Sequence, residues 1–257
     1  DAPHNHLNLP NEFVFAGNNR IKLVYDGLGN KLSKTVITGG VQTYRQDYID
    51  GIELKDNKVQ AIYNEEGRAF NTSTSGQTYR YEYVLRDHLG NTRVVFTDKD
   101  NSGSIDHSEI LSETHYYPFG KTFEGAWYND QTASKYKYLY NGKEVSDEFR
   151  LNFYDYGARW LDPGMGSWWQ IDPLSEVNRR WSPYAYGNGN PVRFTDPDGR
   201  MTKDEVMALY RQRQLTSFAN EATGTLTTST DWNDNASQHS ETSSNDENQA
   251  LSEDGQT

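Results

Sequence analysis

The sequence predicts a mainly β protein, in which antiparallel hairpins lead into an aromatic, turn-rich segment that is followed by a short helix and a disordered tail. Three observations support this fold class. Short strand-like runs recur with glycine-containing turns between them. Asp-Pro steps at Asp162, Asp172 and Asp196 interrupt the stretch from Leu151 to Arg200, where each proline removes a backbone donor and disfavours a helix. Large apolar residues become rare after Ser217, so the end of the chain cannot form a core.

The composition of the chain limits the classes of protein to which it can belong. It has 257 residues, 13% of them aromatic, which suffices for one sizeable core or two small ones. Its formal net charge of −12 argues against binding to a nucleic-acid backbone, which needs clustered lysine and arginine. The sequence contains no cysteine, which excludes disulfides, thiolate zinc sites and thiol catalysis. No apolar run is long enough for a membrane span, so no membrane span is predicted. Because of the negative charge, no nucleic-acid partner is predicted either.

The first half of the chain is predicted to consist of hairpins. Residues 1–12 are polar and turn-prone and are predicted to be a linker. Residues 13–120 repeat one pattern, which is a short strand, an acidic or amide residue, two spacers, a glycine and a second strand. This repetition is typical of a β array in which each unit packs on its neighbours, and it also fits an ordinary β-meander with similar turns.

Three of these motifs share one strand-and-turn pattern. They are Tyr25-Asp26-x-x-Gly29-Asn30-x-Leu32, the variant from Tyr63 to Phe70, and the run from Tyr83 to Val94. They resemble the YD repeats of RHS proteins. Later blocks resemble the RHS repeat-associated core domain, in a form associated with Bacteroidetes, and we assign this domain to residues 121–200. These blocks are His115 to Gly120, Tyr140 to Glu144, and Leu151 to Gly199.

The RHS resemblance carries an expectation about function. In this family, YD repeats spiral into a hollow β shell that encloses a toxic C-terminal domain, and the core domain plugs the end of the shell. The resemblance therefore implies a fragment of a longer chain, the last repeats and the plug of an RHS-type polymorphic toxin or surface protein that presents or encloses a downstream cargo. It implies as partners the upstream YD-repeat shell or the C-terminal cargo, with an immunity or secretion-system protein. It also implies a secreted or cell-surface location in a bacterium.

An acidic segment within the hairpin region matches a calcium-binding loop. Residues 98–109 fit the twelve-residue EF-hand loop, with a glycine at position six and a closing glutamate at position twelve. Strand-like sequence flanks the segment, so we expect a calcium loop at a hairpin tip in which Ca²⁺ has a structural role. A solvated acidic turn is the alternative. The predicted metal ligands are Asp98, Asp100, Ser102, Ser104 through its carbonyl, Asp106 and Glu109.

The aspartates of the Asp-Pro steps are the candidate catalytic residues. The RHS resemblance implies that the core can cut its own chain as an aspartic protease, and Asp172 and Asp196 match the paired Asp-Pro elements of the family. Ser175 stands where the first of these elements has glycine. Asp162 and Arg159 match an Arg-x-x-Asp-Pro element and are second-rank candidates. Two carboxylates that share a proton can divide the acid and base roles of hydrolysis.

Structural roles compete with catalytic ones at each of these positions. An aspartate before proline often only caps the amides of its own turn. Arg159 can equally be a structural cation stacked on Trp160 or Tyr156. Self-cleavage is therefore the second hypothesis for function, after the shell and plug. A free-standing, calcium-dependent adhesion module on the cell surface is the third.

The last part of the chain is predicted to be simple. Residues 201–216 are expected to form a short helix, because Thr202 and Glu205 have the spacing of a capping box. Residues 217–257 are predicted to be disordered. In the RHS family this region is the variable cargo, but here it contains no recognisable toxin active site.

Overall fold

A ten-stranded antiparallel sheet is the main element of the fold. The computed structural model describes residues 2–73, 75–123, 136–177 and 179–223. Within them the ten strands lie side by side in chain order, so that each pairs with the next, and this confirms the predicted β fold of successive hairpins. The strands are β1 (Glu12–Phe15), β2 (Asn19–Tyr25), β3 (Lys31–Thr38), β4 (Val41–Ile49), β5 (Ile52–Lys55), β6 (Lys58–Tyr63), β7 (Gly67–Asn71), β8 (Tyr79–Arg86), β9 (Thr92–Phe96) and β10 (Ile110–Glu113).

Two turns of this sheet use the same side-chain chemistry. In each, an aspartate carboxylate accepts the backbone N–H groups of the residues two and four positions later. The glycine three positions after the aspartate has a positive φ, which glycine adopts at little cost. The pairs are Asp26 with Gly29 and Asp87 with Gly90. The repeated motif is therefore a turn that closes a hairpin.

A four-stranded antiparallel sheet follows the first. Its strands are β11 (Glu144–Ser146), β12 (Phe153–Asp155), β13 (Trp160–Asp162) and β14 (Ser167–Trp168). Large aromatic side chains fill the core that contacts both sheets, and burial of each contributes on the order of 2 kcal/mol or more. The main cluster joins Val95 of β9 and Leu111 of β10 to Tyr140, Tyr154, Tyr156, Trp168 and Tyr186.

Buried charges also join the two sheets. The Lys31 ammonium lies 2.6 Å from one Glu144 carboxylate oxygen and 2.6 Å from the Asp155 carboxylate. The Lys34 ammonium lies 2.7 Å from the other Glu144 oxygen and 3.2 Å from Glu148. Both lysines belong to β3, whereas Glu144 and Asp155 belong to β11 and β12. This ionic cluster ties the hairpins to the second sheet, and the sequence alone did not predict it.

The N-terminal residues differ from the predicted linker. The Asn5 side-chain oxygen accepts the N–H groups of Leu7 and Leu9, and this turn places Leu9 in the core with 2% of its surface exposed. The Asn11 N–H then donates to the Pro3 carbonyl at 2.7 Å. The segment before β1 is therefore folded. The sequence did not show this local order, because polar composition does not reveal a side chain that caps its own turn.

One α-helix, α1 (Lys203–Thr223), ends the described part of the chain. It is longer than the predicted helix over residues 201–216, because the sequence has no glycine or proline between Lys203 and Thr223 and supplies helix-forming alanine and glutamate near its end. The chain divides into two units, Asp1–Glu205 and Val206–Thr257. Disorder was predicted for residues 217–257, but residues 217–223 belong to α1, and the rest of this range lies outside the described residues.

Two further predictions concern parts of the chain that the structure covers incompletely. The boundary between repeats and core near residue 120 stays a prediction, since residues 124–135 lie outside the described ranges. In the ranges that are described, no helix is long and apolar enough to cross a membrane.

Candidate carboxylate site and acidic loop

Arg159 gathers two of the candidate aspartates in one buried site. It lies just before β13 and is 2% exposed. Its Nη1 lies 3.0 Å from Asp172 Oδ2, and its Nη2 lies 3.1 Å from Asp196 Oδ2. The guanidinium therefore joins the two carboxylates, and its single positive charge offsets one of their two negative charges. The predicted pair is brought together, but through an arginine, whereas the sequence suggested a shared proton.

The remaining contacts of Arg159 fix its position. Its Nε donates to the Gly199 carbonyl at 2.6 Å, and its Nη1 donates to the Pro183 carbonyl at 3.2 Å. The guanidinium also lies 4.3 Å from the ring centre of Trp168, a cation–π contact. The predicted stacking partners, Trp160 and Tyr156, were therefore wrong, because the turn before β13 directs the side chain toward β14.

Asp196 combines a structural contact with an ionic one. Its Oδ1 accepts the backbone N–H groups of Gly199 at 2.8 Å and Arg200 at 3.0 Å, while its Oδ2 faces Arg159. Gly199 has a φ of +76°, and a Cβ atom there would lie 2.9 Å from the Arg159 backbone nitrogen. A glycine is therefore required at this turn, which holds the carboxylate of Asp196 against the arginine.

Burial shifts the pKa values of the three charged groups in the site. Burial raises the pKa of Asp196 from 3.8 to about 6, although the Arg159 charge opposes the shift. Burial also raises the pKa of Asp172, again against the effect of Arg159, and it lowers the pKa of Arg159 itself. A carboxyl group with a pKa of about 6 can hold a proton near neutral pH, which a general acid must do.

A small cavity of about 20 Å³ adjoins these carboxylates, enough for a water molecule. Arg159, Asp172 and Asp196 line it, together with Ser175 and the chain segment from Arg200 to Thr202. A carboxylate pair, a space for water and the segment of residues 200–202 therefore meet at one place. This arrangement supplies the components of peptide hydrolysis.

Two other sequence candidates have clear structural positions. Asp162 Oδ1 accepts the N–H groups of Gly164 at 2.8 Å and Met165 at 3.1 Å, which is the turn-capping role. Asp162 is not among the residues that line the cavity. Ser175 stands in a turn whose N–H donates to the Asp172 carbonyl, and its backbone does not have the positive φ for which glycine is needed. The replacement of glycine by Ser175 therefore causes no backbone strain.

The acidic loop lies between β9 and β10, at a hairpin tip as the flanking sequence predicts. Ligand oxygens from Asp98, Asp100 and Glu109 lie within 4.8 Å of one another. Asp98 also accepts the N–H groups of Ser102 and Gly103, which bends the loop around these carboxylates. Clustered carboxylates are the ligands that calcium prefers, so the donor set fits a hard cation.

The other predicted ligands make contacts within the loop. Ser102 Oγ donates to the Ser104 carbonyl at 3.0 Å. The Asp106 carboxylate accepts the Ser108 N–H at 2.6 Å and caps a short 3-10 helix, His107–Glu109. Hydrogen bonding with the side chain and the backbone of Ser108 lowers the pKa of Asp106. The structure thus groups three of the six predicted ligands.

Sequence reasoning missed several residues of the carboxylate site. Trp168 carries no motif that marks it as a partner of Arg159. Asn188 and Glu205 also line the cavity, and the only local signal was the capping-box spacing that includes Glu205.

The chain matches no family model, but it is similar to several known proteins. It is 30% identical over 215 residues to the toxin subunit YenC2 of Yersinia entomophaga, covering 74% of this chain and 22% of that protein. It is 29% identical over 187 residues to the tRNA3(Ser)-specific nuclease WapA of Bacillus spizizenii, covering 68% of this chain and 7% of that protein. The chain thus spans less than a quarter of either relative.

The crystal structure of TcdB2-TccC3 gives a structural match. It covers 77% of this chain and 10% of that chain, with a TM-score of 0.61 and 22% sequence identity. At this identity the match establishes the fold, which is the mainly β fold described above. The form associated with Bacteroidetes stays a prediction. The chain is therefore similar to a toxin subunit and a WapA nuclease and shares its β fold with TcdB2-TccC3, in agreement with its sequence resemblance to the RHS family.

Proposed function

We propose that this chain is the repeat-plus-core segment of an RHS-type toxin, in which the ten-stranded sheet forms part of a β shell and the aromatic core plugs it. The similarity to the toxin subunit YenC2 and the fold shared with TcdB2-TccC3 support this proposal. The observation that carries it is the ionic cluster between Lys34 on β3 and Glu144 on β11, which fastens the core to one face of the repeat sheet.

The partners follow from this assignment. The upstream repeats would continue the sheet, and the C-terminal part of the chain, or a cargo linked to it, would be presented or enclosed. An immunity protein or a secretion-system protein is a further expected partner, and the expected location is the cell surface or outside the cell.

Electron microscopy of the longest natural protein that contains this chain tests the shell. We expect a hollow particle with the aromatic core at its end, and protection of the C-terminal part from added protease. Loss of this protection is expected on replacement of Glu144 by alanine. An open, extended particle whose C-terminal part is digested at once would contradict the proposal.

Self-cleavage is the second candidate, and the carboxylate site favours it. Asp172 and Asp196 meet at a cavity that residues 200–202 also line. In the proposed step, a water oxygen adds to a peptide carbonyl carbon while Asp172 takes one water proton. The carbon–nitrogen bond then breaks as Asp196 gives its proton to the leaving nitrogen. The products are a new carboxyl end and a new amino end within residues 200–202.

Intact mass measurement of the freshly made chain tests this step. We expect a product that ends beyond Gly199, and its loss in Asp172→Asn and Asp196→Asn. Asp162→Asn is the matched control, because Asp162 also precedes a proline but caps its own turn. A parent chain that keeps its full mass, or cleavage that persists in both site variants, would contradict self-cleavage.

The acidic loop supports a calcium proposal. We infer that Asp98, Asp100 and Glu109 hold Ca²⁺, with a structural role, because the cation would offset repulsion among clustered carboxylates. The hairpin of β9 and β10 should then be more stable with calcium. The same loop is the basis of the third candidate, a calcium-dependent adhesion module, for which cell binding should disappear on addition of a chelator.

Titration calorimetry tests the calcium site directly. Binding of Ca²⁺ is expected for the parent chain, with weaker binding of Mg²⁺, which demands a more regular geometry. Glu109→Gln should weaken binding most, because it removes the closing ligand. Absence of heat at millimolar calcium would contradict the site.

A further inference from the structure

The segment that follows Gly199 is held at both ends. On the upstream side, the Arg200 N–H donates to Asp196 Oδ1 at 3.0 Å. On the downstream side, the Thr202 N–H and hydroxyl donate to Glu205 Oε2 at 2.8 and 2.7 Å. Met201 lies between these anchors and lines the cavity. The segment on either side of Met201 is therefore held next to the carboxylate site.

A second contact fixes the downstream anchor. The Asn188 side-chain amide donates to Glu205 Oε1 at 3.0 Å. Asn188 lies in a tight turn, Gly187–Gly189, in which it has a φ of +53°. Both oxygens of the Glu205 carboxylate are thus engaged, one by the turn and one by the segment. Asn188, Thr202 and Glu205 all line the cavity that contains Asp172 and Asp196.

We propose that Asn188 and Glu205 form a clamp that positions the peptide bonds beside Met201 for self-cleavage. The proposal rests on the self-cleavage described above and goes beyond it by assigning the residues that present the substrate. Hydrolysis requires a carbonyl carbon to lie within reach of the water and of both carboxylates, and correct placement of reacting groups contributes a large part of catalysis. The capping box of α1 is then also a positioning device for the bond to be broken.

The clamp restricts hydrolysis to the peptide bonds on either side of Met201. Water adds its oxygen to the carbonyl carbon of Arg200 or Met201, one carboxylate takes a water proton, and the other carboxyl protonates the nitrogen as the carbon–nitrogen bond breaks. Asn188 and Glu205 take no part in proton transfer. They are positioning residues, and their loss should change both the rate of cutting and the choice of bond.

Variants of the clamp give a direct test in the full chain. Glu205→Ala should slow cleavage about tenfold and give products with several different ends, because the segment can slide in the site. Glu205→Gln should retain most of the rate, since glutamine can also complete a capping box. Asn188→Gly removes the side chain that binds Glu205, but glycine adopts the positive φ of this position easily and the capping box stays intact. The variant therefore tests the clamp without disturbing the start of the helix.

Asp204→Ala is the matched control, because Asp204 carries the same charge in the same helical turn but is exposed. It should cleave at the parental rate and bond. Time courses of intact mass and a thermal midpoint for each variant provide the readouts. A parent that is cut while Glu205→Ala and Asn188→Gly are cut at the parental rate and bond would overturn the clamp alone. A parent that is not cut would overturn self-cleavage and the clamp together.

Discussion

Replacement of Glu144 by glutamine tests whether buried charge fastens the core to the repeat sheet. Glu144 is 4% exposed, and its carboxylate oxygens lie 2.6 Å from Lys31 Nζ and 2.7 Å from Lys34 Nζ. The Tyr48 hydroxyl donates to the same carboxylate at 2.9 Å. Glutamine keeps the size of the side chain but removes the charge that both ammonium groups need.

The expected cost follows from the contacts that remain. Removing one partner of a buried ion pair costs about 3–5 kcal/mol, because a buried charge is left without compensation. Lys31 retains Asp155 and Lys34 retains Glu148, so we expect the lower end of this range, about 3 kcal/mol. Replacement of both Lys34 and Glu144 by apolar residues should cost less than the sum of the single changes.

Urea unfolding followed by tryptophan fluorescence measures this cost. Glu176→Gln is the matched control, because Glu176 also pairs with a cation, Arg179, but the Glu176 side chain is 85% exposed and its pair should contribute little. A Glu144→Gln variant as stable as Glu176→Gln would refute the reasoning. It would mean that aromatic packing alone holds the second sheet in place.

The pH dependence gives a second measure of the same cluster. Burial alone would raise the pKa of Glu144, but the Lys31 and Lys34 charges outweigh burial and hold it far below its usual 4.5. A carboxyl whose pKa is lowered on folding contributes stability above its unfolded pKa and loses it as the pH falls toward the folded value. The parent should therefore lose stability below about pH 4.5, and Glu144→Gln should lose less.

Three further outcomes are expected. Ca²⁺ at 100 times its dissociation constant should stabilise the parent by about 2.7 kcal/mol and so raise its thermal midpoint. It should not raise the midpoint of Glu109→Gln, and equal shifts in both proteins would exclude the loop as the binding site. The pKa of Asp196 rises from 3.8 to about 6 on folding, so its contribution to stability should fall as the pH rises through this interval. Urea unfolding should show this fall in the parent but not in Asp196→Asn. Gly67→Ala should disrupt the pairing of β7 with β8, because its Cβ would lie 1.9 Å from the Glu82 carbonyl oxygen; amide exchange in β8 unchanged from the parent would contradict this.

The hairpins could be predicted from the sequence because their determinants are local. Asp26 and Asp87 bond to amides only two and four residues away, so the motif carries nearly all the information that the turn needs. The same holds for the capping box of Thr202 and Glu205, whose bonds span three residues. A sequence motif predicts a structure reliably where the contacts that form it join residues only a few positions apart.

The ionic cluster could not be predicted, because its partners are far apart in the chain. Lys34 and Glu144 bond across 110 residues, and a lysine in a strand normally indicates a solvent-exposed position. The three Asp-Pro steps show the same limit. Asp162, Asp172 and Asp196 all precede a proline, but only the last two reach Arg159, because tertiary packing decides which carboxylate is buried beside the cation.

The contacts of Asp172 and Asp196 determine which variant distinguishes a loss of proton transfer from a disturbance of the fold. Asp196 Oδ1 accepts three backbone N–H groups, so its replacement disturbs the turn as well as the charge. Asp172 Oδ1 accepts one, from Leu174, and the Asp172 side chain is more exposed than that of Asp196, at 14% against 3%. Asp172→Asn should therefore disturb its turn less than Asp196→Asn does, although it also removes one of the two carboxylates that pair with the buried Arg159. Loss of cleavage in a variant of parental stability would then report on proton transfer, whereas the same loss in Asp196→Asn would report on both.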